Sequence, residues 1–366
     1  MDIKVLSLAQ WDWAGCGYFL SEAVNQCTPH HSRASRTEQS TLKFPHDMEV
    51  LSEKNLRSLW KWADVVHVHD AMGYDKIKLP PKPTVITYHG TRYRIDPDYY
   101  HEMDKERGWV GSVATADLTR FGLPLLPDCR PDLSQYVCPD DEFTVIHAPT
   151  KRDVKGTESI IEACKKLNVK LDLIEHAPWE ECMQRKGRGH LLIDQFELGY
   201  GCNAIEAWSM GIPVIANATP DNITRMREYF SPLPFLRPID GLAETIDRMK
   251  WDRELHYLWS EVGREHYEQW HSPQIVSAIA VDLYRQAIRA MTTKKTPYKK
   301  DEGMVLVRYL GTNSGSTRWF SDRTPPHQYT FSSLSPIKYV FEADVEWFLE
   351  HKDKRRRPLF EVVDGD

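Results

Sequence analysis

Apolar and polar positions along the 366-residue chain fall into two kinds of segment. Ile3–Leu8, Asp64–His69 (DVVHVH), Thr84–Tyr88 (TVITY) and Val110–Ala114 are short and apolar almost without break. That is the pattern of strands covered on both faces of a parallel sheet. Longer amphipathic segments lie between them. After Gly15-Cys16-Gly17, the residues Phe19, Leu20, Ala23 and Val24 share one face of a predicted helix. Strand, turn, helix, strand is the βαβ rhythm. A second cycle starts near Glu142, with strands at Phe143–His147, Lys170–Ile174, Leu191–Ile193 and Pro213–Ala216. Its helix at Glu158–Leu167 turns Ile160, Ile161 and Cys164 inward. The expected fold class is α/β, in two halves joined around Cys138–Glu142. Ligands on such sheets bind beyond the carboxyl ends of the strands, so two facing halves place the site in the cleft between them.

Leu242–Met291 reads as helical, with Ser272-Pro273 as a helix start. The pattern then changes. A polar linker is followed by Val305–Leu310, Gln328–Phe331, Ile337–Phe341 and Leu359–Val363 as strands, a turn at Gly311–Gly315 and a helix at Ala343–His351. The predicted domains are 1–140, 141–291, a linker 292–303 and a small β-rich module 304–366. That module is near the lower limit for independent folding.

Composition changes this picture little. Apolar residues make up 41% and charged residues 27%, as in an ordinary globular protein. The net charge of −6 gives no general basic surface for nucleic acid. The basic runs Lys294–Lys300 and Lys352–Arg357 read as a solvated linker and a solvated helix end. The seven cysteines are scattered and form no C-x-x-C pair, which argues against a disulfide framework or structural zinc and for a reducing cytoplasm. The first residues are too short and too alternating an apolar run for a signal peptide, and no stretch approaches a membrane span. A cytoplasmic location is expected.

The stretch Asp194–Ala216 carries the most chemistry. It reads as a strand end, a glycine turn, a helix opening near Cys202 and a strand. Gly199 and Gly201 allow close backbone approach, and a helix N-terminus behind such a turn is an anion site. Glu206, placed in the first helical turn, can accept two hydroxyl hydrogen bonds, as from a ribose. An acid there can equally do no more than complement the helix dipole.

This stretch resembles the donor-site motif of the large retaining GT-B glycosyltransferase family of bacterial and phage enzymes. The family pattern is Glu-Gly-Phe-Gly, four residues, then Glu-Ala-Met-Ala-x-Gly-x-Pro-Val-Ile-Ala. Gly199-Tyr200-Gly201 takes the turn, and Glu206 through Ala216 takes the rest. The resemblance implies two facing Rossmann-like domains with the donor site in the cleft. It also implies front-face transfer of a sugar from a nucleoside-diphosphate donor, UDP- or GDP-linked, without metal and without further cofactor. Tyr200, Gly201 and Cys202 then line the donor phosphates, and Glu206 holds the ribose. The family's first glutamate falls on Leu198, so Glu197 or Asp194 is expected to substitute for it.

Other segments match in order. His147-Ala-Pro-Thr-Lys-Arg-Asp-Val-Lys-Gly156 resembles the loop with the diphosphate-binding basic pair. Lys155 takes one place, and Thr150 stands where the arginine would be, with Arg152 nearby. Gly15 and Gly17 occupy the place of the N-terminal glycine loop. Val65–Asp70 with Gly73, and Ile86–Gly90, resemble two further segments. They imply that His89 faces the transferred sugar; His67 reads as a core residue, and His69 and Asp70 as rim residues. Asp96-Pro-Asp98 has a metal-binding D-x-D form but reads as a turn. No histidine or acid pair has helical ligand spacing, so no metal is expected. Gly263 through Arg285 resembles the closing helices that return to the first lobe. On this reading Glu206→Ala and Lys155→Ala abolish transfer and leave the fold intact.

The final module loosely resembles small β-rich proteins of tailed bacteriophages, which implies a phage or prophage gene and, for such a gene, the host cytoplasm. The acceptor stays open between a glycan, a protein and a modified DNA base, and the oligomeric state stays open as well. Rival readings are a sugar-nucleotide epimerase and a non-catalytic virion or carbohydrate-binding protein on the same scaffold.

Overall fold

In the computed structural model, β1 (Lys4–Ala9) opens a five-stranded parallel sheet. It continues through α1 (Cys16–Cys27), β2 (His31–Arg36), α2 (Glu53–Trp62), β3 (Val65–His69), β4 (Thr84–Tyr88), α3 (Thr91–Ile95), α4 (Pro97–Arg107) and β5 (Val110–Val113). The described residues are 2–12, 14–38, 52–70 and 79–295, with the short segments 304–309, 317–320, 328–331, 337–341, 347–352 and 359–362. Gly73, the turn at Gly311–Gly315, most of the linker and the run Lys352–Arg357 beyond its first residue lie outside them.

The sheet order is β2-β1-β3-β4-β5. Every residue of β3 and β4 is buried, as expected for central parallel strands. Burying His67 inside β3 requires partners, and it has them: Nδ1 meets the Tyr284 hydroxyl at 3.0 Å and Nε2 meets Thr87 Oγ1 at 2.7 Å. Burial pushes this imidazole down to about 3, so it is neutral.

The second sheet is built from β6 (Thr144–His147), α5 (Arg152–Lys155), α6 (Thr157–Leu167), β7 (Lys170–Leu173), α7 (Trp179–Lys186), β8 (Leu191–Ile193), β9 (Leu198–Gly199), α8 (Cys202–Ser209) and β10 (Val214–Ile215). Its order is β10-β8-β6-β7, all parallel. A two-stranded antiparallel ribbon joins β9 to β11 (Asn217–Ala218). Then come α9 (Pro220–Tyr229), α10 (Leu242–Trp251), α11 (Arg253–His266), a π-helical turn at Tyr267–His271 and α12 (Pro273–Lys295). Val276, Ala280, Leu283 and Tyr284 of α12 pack with Val5, Leu20, Val65 and Val85, so the last helix lies on the first sheet.

Three elements differ from expectation. Asp96-Pro97-Asp98 starts α4 and is not a turn. Asp96 accepts the Tyr99 amide at 3.1 Å, and Pro97 stands where no intrahelical amide is needed. β2 had no apolar signal because it is a polar edge strand, HSRASR. His69 is buried and not at a rim.

The chain forms two compact units, Met1–Met291 and Thr292–Asp366. In the second, β12 (Met304–Tyr309) pairs antiparallel with β15 (Ile337–Phe341) and β16 (Phe360–Val362). β13 (Thr317–Phe320) pairs with β14 (Gln328–Phe331). Phe348, in a helical turn at 347–350, packs its ring against Phe360.

Candidate functional site

In both sheets the strand order reverses beside the first strand: β1 lies between β2 and β3, and β6 between β7 and β8. Such switch points open a crevice at the carboxyl ends of the strands. In the second sheet the crevice is walled by the loop after β6 and the residue after β8. His147 ties these together, with Nδ1 on the Ile193 carbonyl at 2.8 Å and Nε2 on Thr157 Oγ1 at 2.9 Å. The loop then delivers Lys155, whose Nζ lies 2.5 Å from Asp194 Oδ1. The other oxygen of Asp194 accepts the Gly201 amide at 2.6 Å. Asp194 is almost fully buried. Its carboxylate therefore fills the anion position formed by the glycine turn, the opening of α8 and one cation.

The other expected groups around this point are placed differently. Thr150 is exposed, and Arg152 gives its guanidinium to Glu175 at 2.6 and 2.9 Å and to Glu158 at 3.0 Å. Glu197 is exposed, and its backbone carbonyl accepts the Thr219 amide. Tyr200 points into the core. Its hydroxyl reaches His271 and His266 Nε2 at 3.1 and 3.2 Å, and its ring stands edge-on to Trp208. Gly199 has φ 91°, and a Cβ there would sit 2.1 Å from Met226 Cε, so the turn tolerates glycine alone.

Glu206 lies in the second turn of α8, because the helix starts at Cys202. It is buried, with Oε1 accepting from Arg130 Nε at 3.2 Å and Trp179 Nε1 at 3.3 Å. Oε2 takes Lys186 Nζ at 2.5 Å. Burial opposes its charge, but Lys186 and Arg130 offset that and hold the carboxyl below its usual range. Contact with a ribose would require Glu206 to exchange one of these partners.

In the first sheet the loop after β1 folds back on α1. Asp12 accepts the amides of Gly17 at 2.9 Å and Tyr18 at 3.1 Å, so this helix opening also holds an internal carboxylate. Gly15 takes φ 67° as the residue before α1. A Cβ on Gly17 would press on His69 and Ser7 at 3.1 Å. Beyond it runs a chain of polar groups. Ser7 Oγ meets His69 Nε2 at 3.0 Å, and His69 Nδ1 meets His89 Nε2 at 3.1 Å. His89 Nδ1 lies 3.1 Å from Asp128 Oδ1. Burial works against a charge on His89, but Asp128 outweighs it and raises the imidazole to about 9. His69 stays neutral, because burial lowers it far below its ordinary value.

Arg130 joins the two sides. It is wholly buried, with Nη2 on the Ala14 carbonyl at 2.7 Å and Nε on Glu206. Its own stretch is stitched to the second lobe. The Arg130 amide donates to the His271 carbonyl, and the Asp128 carbonyl receives His271 Nδ1 at 2.8 Å. Asp12, Asp128, Arg130, Trp179 and Lys186 were all missed from sequence. Asp12 stands just before the glycine loop, five and six residues from its partners; the other four lie in segments with no motif, and the side chains they pair with are distant in the chain.

No family model and no curated protein matches the sequence. Solved structures do. A glycosyltransferase from Rickettsia africae ESF-5 is similar at TM-score 0.57 and 11% identity, over 79% of this chain and 99% of that one. Sucrose-phosphate synthase from Thermosynechococcus elongatus is similar at TM-score 0.56 and 14% identity, over 79% of this chain and all of that one (100%).

The fold is GT-B. Lys155, Asp194 and the opening of α8 lie at the carboxyl ends of the strands of the second sheet, and the opening of α1 and the end of β4 lie at those of the first. Among the described residues no helix is long and apolar enough to cross a membrane.

Proposed function

We propose that this protein is a retaining glycosyltransferase that takes a sugar from a nucleoside-diphosphate donor, UDP- or GDP-linked. The observation that carries this reading is the cluster of Lys155, Asp194 and the Gly201 amide at the switch point of a GT-B second lobe. One cation and one helix opening already hold an anion there. A donor diphosphate would exchange with Asp194 for Lys155 and for the first amides of α8, which have no acceptor within the helix. Lys155 would then neutralise charge on the departing diphosphate. Closure of the lobes would keep water from the donor.

One observation favours a second reading, a binding protein without turnover. The amides of Gly17 and Gly201, at the two cleft-facing helix openings, are both taken by internal carboxylates, and Leu198 stands at the family's first glutamate.

The test is the melting temperature of the full chain with UDP, GDP, ADP, CMP and dTDP, followed by assay of nucleotide release from the matching sugar donors. A ligand that binds only the folded state raises the melting temperature by mass action. Stabilisation by one nucleotide, lost in Lys155→Ala, together with donor turnover supports the transferase. Stabilisation without turnover supports the second reading. No effect of any nucleotide at millimolar concentration overturns the transferase and favours the second reading.

A further inference from the structure

Four segments far apart in sequence meet where the lobes join. Cys16 opens α1, His89 follows β4, Asp128 lies in the stretch between the lobes, and Cys202 opens α8. One ligand atom each from Cys16, His89 and Asp128 falls within 4.8 Å of the others. Cys202 Sγ is 3.6 Å from Asp128 Oδ2, and its thiol interacts electrostatically with that of Cys16. Zinc–ligand bonds of about 2.0–2.3 Å put tetrahedral neighbours about 3.3–3.7 Å apart, so closing Cys16, His89 and Asp128 on one ion needs shifts of about 1 Å, with Cys202 turning in from beside Asp128.

His89 Nδ1 and Asp128 Oδ1 are buried and face each other at 3.1 Å as an ion pair, and each of these two atoms has no other partner among the described residues. The surrounding bonds fix which proton His89 carries. The Ser7 hydroxyl donates to the Gly17 carbonyl, so its oxygen accepts from His69 Nε2. His69 Nδ1 then accepts from His89 Nε2. His89 holds its proton on Nε2, and once neutral it aims the Nδ1 lone pair at Asp128 and the thiols. A metal-binding histidine is usually oriented in this way, through its other nitrogen.

We propose that Cys16, Cys202, His89 and Asp128 form a tetrahedral site for a divalent transition-metal cation, zinc by its ligand chemistry, which ties the first lobe to the second. Two thiolates, an imidazole and a carboxylate suit zinc and not magnesium or calcium. Binding releases three protons to solvent: one from each thiol and one from Nδ1 of the His89–Asp128 pair. Three anionic ligands on a divalent ion leave one negative charge, and the buried Arg130 guanidinium interacts with Asp128 and both thiols. His89 becomes a ligand and not the sugar-facing group implied by the resemblance. Spacing along the chain gives no sign of the site, because no two of its ligands share a helix turn.

The test uses the full chain, reduced, stripped with a chelator and titrated with Co²⁺ alone. The expected result is one equivalent bound, with thiolate-to-cobalt absorption in the near ultraviolet and d–d bands of tetrahedral shape. Cys16→Ser and Cys202→Ser each halve the thiolate band, and the double variant loses it. Cys138→Ser, outside the site, keeps it. Zn²⁺ bleaches the bands one for one. Asp128→Asn keeps both thiols and covers the case in which the serine variants fail to fold; it weakens cobalt binding by about tenfold or more. Absent bands at equimolar Co²⁺, bands that survive in the double variant, or unchanged affinity in Asp128→Asn overturn the site. None of these readouts depends on sugar transfer, so they stand apart from the test of the proposed function.

Discussion

Arg130 and Glu206 meet across the lobe junction with Nε 3.2 Å from Oε1, and neither side chain reaches solvent to a useful extent. Lys186 takes the other carboxylate oxygen from α7. The triad couples three things: the glycine loop through the Ala14 carbonyl, the stretch between the lobes, and α8. Two cations share one anion, so the group depends on Glu206 more than on either partner.

Glu206→Ala is therefore expected to cost the fold about 3–5 kcal/mol, because it leaves two buried cations without their carboxylate. The expectation from the sequence was a variant whose fold stays intact. Urea unfolding of Glu206→Ala beside Glu206→Gln measures it. Gln keeps the shape and part of the hydrogen bonding, so it should lose less. Equal, small losses in both variants would mean that the triad contributes little.

Asp194 holds Lys155 and the Gly201 amide in the place a diphosphate would take. Asp194→Asn is expected to strengthen the melting shift given by the active nucleotide, since a competing charge is removed, while Lys155→Ala abolishes the shift. Calorimetric titration of the three proteins checks the order. A weaker shift in Asp194→Asn would show that the carboxylate positions Lys155 for the ligand and does not compete with it.

How much of this was legible follows from range. The central strands β3 and β4 were clear because both faces are covered and β-branched or aromatic residues fill most positions. The turn at Gly199 was clear because glycine has a local reason to be there. β2 was invisible, since an edge strand of polar residues carries no hydrophobic signal. Lys155 and Asp194 were named as site residues, but not as partners of each other. Arg130 and Lys186 gave no signal at all. A lone basic residue reads as surface until the fold supplies Glu206, which is 76 residues from one and 20 from the other.

Asn25 on α1 explains how β2 is held. Its side chain accepts the Ser32 amide at 2.7 Å and donates to the Ser32 carbonyl at 3.0 Å, as a neighbouring strand would. Asn25→Ala should cost about 1 kcal/mol. The specific sign is faster exchange of the Ser32 amide with that of Val5 in β1 unchanged. Equal acceleration at both sites would point to a global loss instead.

Asp104 gives a pH dependence of definite sign. Its Oδ1 accepts the Tyr88 hydroxyl at 2.8 Å, and its Oδ2 is buried without a partner. Burial raises this carboxyl to about 7, against opposition from the Tyr88 hydrogen bond and Arg107. An unfolded chain holds it at the ordinary 3.8, so between 3.8 and about 7 the folded protein binds the extra proton. Stability from this group is present in full at the acid end and is lost as pH rises to about 7, at most about 1.4 kcal/mol per pH unit. Asp104→Asn removes the titration while keeping the acceptor for Tyr88. Urea unfolding at several pH values should show the wild-type protein losing stability relative to the variant from pH 4.5 to 7, then running parallel above that. A constant difference across the whole range would mean that Asp104 is ionised in the fold, with its charge balanced by Arg107.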